Sequence, residues 1–411
     1  MSADPIKVLL IEDSPTDTLL VSATLSAATG AGFEVTSNDH LESAIKLANT
    51  KHFDVILLDL GLPGTQGIET FERMHESTPH IPIIVLSGLG DDEVAMQAVQ
   101  QGGQDYLPKG VALDDLLPRA IHYAIERHRA KAERELYAYA LQKRNEELEE
   151  DLRVASEIQQ ALLPHKYPKF IVNGENVLHF SHCYRPAAGL SGDFFSILHL
   201  SDHQVGILIC DVMGHGVRAA LIGALTRGFI DQSTPDALQP DKFLSSLNRE
   251  LSATLKRADI NAFATAFYVV ADLKKQEIQY ANAGHPSAIL LDRKAGTVDW
   301  LSIPGRGNLP LGLAGSTSYP IYCKPLASND AIVFFTDGLY EAENSSGEQF
   351  GRERILNAVR HSMQNPCEKL LEELVGESQR FSGREDFDDD VCLVGMDIMN
   401  LTPASTRAAT L

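Results

Sequence analysis

The sequence predicts two folds in one chain: an α/β domain with a doubly wound five-stranded parallel sheet, and an α+β sandwich of packed sheets flanked by helices. A long α-helix joins them. Three observations carry this reading. Apolar runs alternate with helical stretches through the N-terminal quarter of the chain. The segment between Pro118 and Pro164 contains neither proline nor glycine. Beyond Phe170, strand-like runs follow one another directly, with carboxylates beside glycines at their ends.

In the N-terminal part, Ile6–Ile11, Val55–Leu58, Ile83–Leu86 and the shorter Gln104–Leu107 are the apolar runs expected of strands buried on both faces. Helical stretches lie between them at Thr16–Ala28, Leu41–Asn49, Ile68–Ser77 and Glu93–Gln101. Alternation at this spacing means right-handed βαβ units, and ligands then bind outside the carboxyl ends of the strands. Glu12 and Asp13 end the first strand, Asp59 the third and Ser87 the fourth, while Lys109 follows the fifth. Carboxylates so gathered repel one another unless a hard divalent cation, Mg²⁺ by ligand type, lies among them. An aspartate beside Mg²⁺, with a lysine and a hydroxyl at hand, can accept a phosphoryl group. Taken singly, Asp59 reads as a helix cap and Lys109 as a solvated surface residue.

The last helix of this domain begins near Asp114, with Pro118 in its first turn, and runs on through residues 119–163. Fully helical, that segment reaches about 65 Å. Ala138, Asn145, Leu152 and Gln159 fall on one seam of a heptad pattern, and Leu141, Leu148, Ala155 and Leu162 on the other. Leucines in the second seam and a lone Asn145 in the first suit a parallel two-stranded coiled coil, and hence a homodimer. A solvated connector is the alternative.

In the C-terminal part the strands are Val177–Arg185, Val205–Cys210, Ala264–Ala271, Glu277–Ala283, Ala288–Leu291, Ile332–Thr336 and Val391–Ile398. Helical stretches occupy Gly216–Phe229 and Asp241–Leu255, and two more follow Gly351. Gly192-Asp193, Asp211-Val212-Met213-Gly214, Thr336-Asp337-Gly338 and Asp388-Asp389-Asp390 put carboxylates at strand ends where glycine lets the backbone turn tightly. No Cys-His pair or Gly-x-Ser-x-Gly elbow accompanies them. An acid-only site suits two hard cations and the hydrolysis of a phosphoester.

Composition narrows the choice. At 411 residues, two domains and a linker are expected. A formal charge of −21 argues against a nucleic-acid surface, because phosphate contacts need basic residues. The five cysteines form no CxxC pair, as expected of reduced thiols in the cytoplasm. Neither a secretory signal nor a membrane-spanning run is visible.

The motifs IEDS, LLDLGLPG, VLSG and DYLPKG, in that order over residues 5–128, resemble the receiver domain of two-component response regulators, a flavodoxin-like fold. The resemblance implies Asp59 as phospho-acceptor, and Glu12, Asp13, Asp59 and the Gly61 carbonyl as Mg²⁺ ligands. It further implies Ser87 as the switch hydroxyl, Tyr106 as the switch aromatic, Lys109 as the phosphate counter-ion, and a histidine kinase or phosphotransfer protein as donor. Pro108 would suit a cis peptide. Over residues 170–398 the motifs RPAAGLSGDFF, DVMGHGVRAAL, NAGHP, LPLGL, FFTDGLYEA and DDDVCLV resemble the PPM (protein phosphatase 2C-like) Ser/Thr phosphatases, the SpoIIE-like branch above all. VASEIQQALLP resembles the regulatory helix that precedes that domain.

This second resemblance implies two Mn²⁺ or Mg²⁺ ions. Asp211 would bridge them, Asp337 and Asp389 would complete one site, and Asp193 with the Val212 carbonyl the other. Asp390 is a supporting candidate. His215 either protonates the leaving serine oxygen or only caps the next helix. His285 fixes a turn beneath the site, and Arg185 is a candidate phosphate ligand. Phe195-Ser196 stands where Tyr-Asp is frequent, and Cys392 where Thr is usual, but no metal ligand is lost. The implied substrate is a phosphorylated anti-sigma-factor antagonist or a related regulatory domain. The alternative function is a non-catalytic adaptor that sequesters a partner, distinguished by chelator-resistant binding without phosphate release. The tail, residues 399–411, is expected to be disordered.

Overall fold

The computed structural model describes residues 4–28, 32–88, 92–109, 113–164, 166–172, 174–187, 189–301 and 308–401. It divides into two compact units, residues 1–146 and 147–411. In the first unit, β1 (Ile6–Ile11), β2 (Phe33–Asn38), β3 (Val55–Asp59), β4 (Ile83–Ser87) and β5 (Asp105–Pro108) form a parallel sheet in the order β2-β1-β3-β4-β5. Helices α1 (Pro15–Ala27), α2 (Leu41–Thr50), α3 (Ile68–Ser77), α4 (Asp92–Gln100) and the start of α5 (Leu113–Leu162) cover it. Because side chains alternate along a strand, Leu9 and Ile11 pack with Leu41, Phe71 and Ala95 on one face. Val8 and Leu10 pack with Val21, Leu25 and Ile121 on the other. Strands buried on both sides must be apolar throughout, which is why β3 and β4 are legible as runs. β2 has no fully buried residue and no such run.

α5 is one uninterrupted helix of 50 residues. Pro118 is its sixth residue, past the first turn where the sequence suggested it. Among the described residues no peptide is cis, so the cis bond expected at Pro108 is not found.

In the second unit the hairpin β6 (Ile171–Val172) and β7 (Glu175–Asn176) precedes β8 (Leu178–Arg185), β9 (Phe194–Ser201) and β10 (Gln204–Val212). Helices α6 (Val217–Ser233) and α7 (Pro240–Arg257) follow, then β11 (Ala264–Asp272), β12 (Glu277–Ala283), β13 (Ile289–Asp292), β14 (Thr297–Trp300), β15 (Tyr322–Pro325) and β16 (Asp330–Phe335). A single turn α8 (Gly338–Glu341), helices α9 (Gly351–Ser362) and α10 (Cys367–Ser382), and β17 (Val391–Ile398) complete it. Two antiparallel five-stranded sheets, β15-β12-β11-β10-β9 and β14-β13-β16-β17-β8, pack face to face. Ile207, Ile209, Phe267, Phe334 and Val394 fill the layer between them. Leu208 and Cys210 point the other way, against Phe243, Leu247 and Leu251 of α7. Val333, Phe335 and Leu393 meet Ile355, Leu370 and Leu374 of α9 and α10. The result is a helix–sheet–sheet–helix sandwich.

Residues 399–401 of the expected disordered tail are held against the sandwich: the Met399 amide donates to the Val177 carbonyl at 2.8 Å, although Met399 and Asn400 are exposed. Leu401 is buried in the inter-sheet layer, and its carbonyl accepts from Ser328 Oγ at 2.9 Å. Residues 402–411 lie outside the described set. No helix among the described residues is long and apolar enough to cross a membrane.

Candidate functional site

The carboxyl end of the parallel sheet assembles the first cluster. Glu12, Asp13 and Asp59 each offer a ligand atom, and these atoms all lie within 4.8 Å of one another. Lys109 Nζ reaches into the group, 2.7 Å from Glu12 Oε2 and 2.8 Å from Asp59 Oδ2. Burial works to lower the Lys109 pKa, yet the hydrogen bonds to Asp59 and Glu12 hold it above the ordinary lysine value. Burial raises the Glu12 carboxyl, and Lys109 only partly offsets this. The Gly61 amide donates to Asp59 Oδ1 at 3.3 Å. Ser87 is fully buried, and its hydroxyl has no partner among the described residues, although the Lys109 amide donates to its carbonyl at 2.7 Å. Tyr106 is half-buried on β5. Three oxygen donors gathered so closely fit a hard divalent ion.

The second cluster lies where three chain reversals of the sandwich meet. Asp193 precedes β9, Asp211 lies near the end of β10, Asp337 follows β16, and Asp389-Asp390 precede β17. β9 and β10 are paired neighbours whose register brings Asp193 opposite Asp211, and β16 and β17 are paired neighbours whose adjoining loops carry Asp337 and Asp389. The carboxyls act on one another. Burial, then the charge of Asp211, pushes Asp193 well above the usual carboxylate range. Burial, then Asp337 and Asp389, pushes Asp211 up to about 7. Asp337 is raised by burial and by Asp389. Acids that so disfavour one another's ionisation are the donor set that divalent cations resolve. No three of the four, however, bring their ligand atoms within 4.8 Å of one another as Glu12, Asp13 and Asp59 do.

Two glycines explain the convergence. A Cβ on Gly192 would meet the Val212 carbonyl at 2.7 Å and Ala219 Cβ at 3.0 Å. The Val212 carbonyl therefore faces the loop that carries Asp193. A Cβ on Gly338 would collide with the Asp390 carbonyl, so glycine after Asp337 lets the two acidic loops touch.

Several supporting residues are not legible in the sequence. Thr336 Oγ1 donates to Asp193 Oδ2 at 2.6 Å and accepts the Cys392 amide at 2.9 Å. Asp390 is no bystander: its carboxylate accepts from the Ala187 and Gly192 amides, each at 2.9 Å. Ser191 Oγ accepts the Asp193 amide at 3.0 Å. Gln159, on the last turn of α5, donates from Nε2 to the Ser191 carbonyl at 2.6 Å and accepts the Ser191 amide at 3.0 Å. The position of Thr336 beside Asp337 was the available signal for the first. For Gln159 the signal was its place within VASEIQQALLP, which marks the helix but not the contact.

The remaining candidates are placed as follows. His215 is exposed, and α6 begins after Gly216 with no side-chain cap, so the capping role suggested for His215 is not found. His285 is buried, with Asn282 bonded to both its amide and its carbonyl, and Thr265 Oγ1 lies 2.7 Å from Nδ1. The turn is thus fixed by the Asn282 side chain through the His285 main chain, and the His285 ring contacts Thr265 instead. Arg185 is exposed at the end of β8, its guanidinium donating to the Tyr184 carbonyl.

The family model for Stage II sporulation protein E (SpoIIE) matches residues 201–398, and that for the response regulator receiver domain matches residues 8–121. Phosphoserine phosphatase RsbU of Bacillus subtilis is 27% identical over 233 residues, covering 55% of this chain and 66% of RsbU. Phosphoserine phosphatase RsbP of the same organism is 26% identical over 216 residues, 52% of this chain and 51% of RsbP. The chain thus spans about half to two thirds of the length of these relatives. The SiaA-PP2C domain of Pseudomonas aeruginosa superposes with a TM-score of 0.53 at 24% identity, over 62% of this chain and 98% of that domain, and shares the sandwich fold.

Proposed function

Given a response regulator receiver domain joined to a SpoIIE-type PPM phosphatase domain, we propose that phosphoryl transfer to Asp59 controls the hydrolysis of phosphoserine or phosphothreonine in a protein substrate. The observation that carries the hydrolytic half is the convergence of buried carboxyls beside the Val212 carbonyl, with Asp337 and Asp389 pressing on Asp211, and Asp211 on Asp193. Asp211 would bridge two Mn²⁺ or Mg²⁺ ions, with Asp337 and Asp389 at one and Asp193 and the Val212 carbonyl at the other. Such a pair supplies Lewis acidity and an activated water nucleophile. Thr336 holds the Asp193 carboxylate in place. His215, exposed on the turn before α6, can protonate the departing serine oxygen.

In the receiver, Mg²⁺ would sit among Glu12, Asp13, Asp59 and the Gly61 carbonyl. An Asp59 oxygen attacks the phosphorus of a phosphorylated histidine kinase or phosphotransfer protein, and the histidine nitrogen departs. Lys109 already contacts Asp59, and the Ser87 hydroxyl, which has no partner among the described residues, can donate to the new phosphoryl oxygens. Tyr106 would follow Ser87 as the switch aromatic. α5 would carry the change, as a parallel dimer with Asn145 setting register. Leu141, Leu148 and Leu152 are exposed on the helix, which favours a partner there. The substrate would carry phosphoserine, as the names of the relatives suggest, and by the SpoIIE-like resemblance would be a regulatory protein of the anti-sigma-factor antagonist type.

The direct test is Mn²⁺-dependent hydrolysis of an aryl phosphate by the full chain, with and without acetyl phosphate. Asp211→Asn should abolish it; equal activity in that variant refutes the assignment. Asp59→Asn should remove the response to acetyl phosphate and leave the basal rate.

A further inference from the structure

A cationic cleft lies one side chain away from the acidic cluster. Arg352, in the first turn of α9, is exposed, and its guanidinium lies over two aromatic rings. It is 5.5 Å from the centroid of Tyr340 and 5.9 Å from that of Trp300. Both rings pack against Phe335, at 6.3 Å and 5.9 Å, and Phe335 is buried on β16. A guanidinium stacked on a fixed aromatic surface is held in place without a carboxylate, and its in-plane N–H groups stay available to an anion. Among the described residues Arg352 forms no ion pair, and neither does Lys324 on β15.

Lys324, Arg352, Trp300, Ser287 and Asp299 line a cleft of about 490 Å³. Two cations around a single carboxylate run against the charge of a chain with 56 acidic and 35 basic side chains. The location suggests the occupant. Tyr340 stands one helical turn beyond Asp337, its amide donating to the Asp337 carbonyl at 3.0 Å. Burial raises the pKa of the Tyr340 hydroxyl, and the charge of Asp337 raises it further, so the Tyr340 ring bridges the acidic cluster and Arg352. An extended peptide advances about 3.3 Å per residue, so side chains about two to four residues from a phosphoserine at the cluster come within reach of the cleft.

We propose that the Lys324–Arg352 cleft is a recognition site for acidic residues flanking the phosphoserine of the protein substrate, with Arg352 as the principal contact. This rests on the metal-dependent phosphatase reading above and adds which substrates that site prefers. Arg352 acts on the peptide chain around the phosphoserine, not on the phosphoryl group.

The test uses the full chain in Mn²⁺ and two synthetic phosphoserine peptides. One carries aspartates on both sides of the phosphoserine, and the other carries asparagines at the same places. An exposed ion pair changes an equilibrium by up to about fivefold, so two cations should give wild type about a tenfold preference for the aspartate peptide in kcat/KM, expressed in KM. Arg352→Ala should cut that ratio to about threefold, and Arg352→Ala with Lys324→Ala should bring it to about one. Arg352→Glu should reverse the preference. Added salt should shrink it in wild type, as it does for exposed charges. Both side chains are exposed, and hydrolysis of the asparagine peptide measures the folded enzyme in each variant. Equal kcat/KM for the two peptides in wild type, or a preference that survives the double substitution, overturns the proposal. If wild type hydrolyses neither peptide, the phosphatase reading fails and binding alone decides the cleft. With serine in place of phosphoserine, the aspartate peptide should then change the fluorescence of Trp300, the single tryptophan, at about a tenfold lower concentration than the asparagine peptide. Equal titrations by the two peptides refute the recognition site itself.

Discussion

Replacing Asp390 by alanine should loosen the acidic cluster from beneath, and the size of the effect can be worked from its contacts. The carboxylate accepts two main-chain amides, Ala187 and Gly192, each at 2.9 Å, and the residue is 4% exposed. Hydrogen bonds to a charged acceptor contribute about 1.5–3 kcal/mol each, so roughly 3–6 kcal/mol is at stake. Two effects oppose the loss. Burial raises the Asp390 carboxyl, and the charge of Asp389 raises it less than the amide bonds lower it. Removing the side chain relieves both, leaving an expected net destabilisation of about 2–3 kcal/mol. Asp390→Asn retains one acceptor and should lose about half as much. Trp300 is the single tryptophan and lies in the second unit against Phe335 and Arg352, so its fluorescence follows this domain alone during urea unfolding. The contacts are not what holds the loop if Asp390→Ala unfolds in EDTA at the wild-type midpoint, or if Asn and Ala behave alike.

Three further outcomes follow from the same contacts. Asp193 and Asp211 have folded-state pKa values above their unfolded ones, so their contribution to stability is present below about pH 4 and is lost as pH rises towards about 7. In EDTA the Trp300 transition should therefore come at lower urea at pH 8 than at pH 5.5, and Mn²⁺ should restore it most at pH 8; a metal-free protein more stable at pH 8 contradicts this. Gly192→Ala puts a methyl 2.7 Å from the Val212 carbonyl, the ligand proposed above, and 3.0 Å from Ala219 Cβ, so half-saturating Mn²⁺ in the hydrolysis assay should rise about tenfold or more. Leu148→Asp with Leu152→Asp places charges on the exposed helix seam and should halve the mass measured by light scattering; an unchanged dimer, or a wild-type monomer in both acetyl phosphate conditions, removes the coiled coil.

The strands most legible in the sequence are those whose environment leaves one reading. β3 and β4 are buried on both faces, and β10, β11 and β17 nearly so, which makes them continuous apolar runs. β14 and β15 are sheet-edge strands with mostly exposed or half-exposed residues, and nothing in Thr297–Trp300 or Tyr322–Pro325 separates them from loop. β9 is different: Phe194–Ser201 is apolar enough, but the adjacent Gly192-Asp193 motif marks its first residue rather than its length. At the sites, the aspartates were visible because a carboxylate beside glycine at a strand end contributes little to packing and so points to a ligand role. The residues that hold them were not, because Thr336, Ser191 and Gln159 are ordinary types whose meaning comes from partners 32 to 143 positions away.

The solitary hydroxyl of Ser87 bears on how the receiver rests. A buried donor answered by no described protein group weakens the unmodified domain by about 1–3 kcal/mol relative to a plain methyl. Alanine at this position should thus make the quiescent receiver harder to melt, while depriving the modified one of a grip on its new anion. If phosphoryl transfer to Asp59 proceeds as proposed, the folded domain carries in advance a small instability that the modification would relieve.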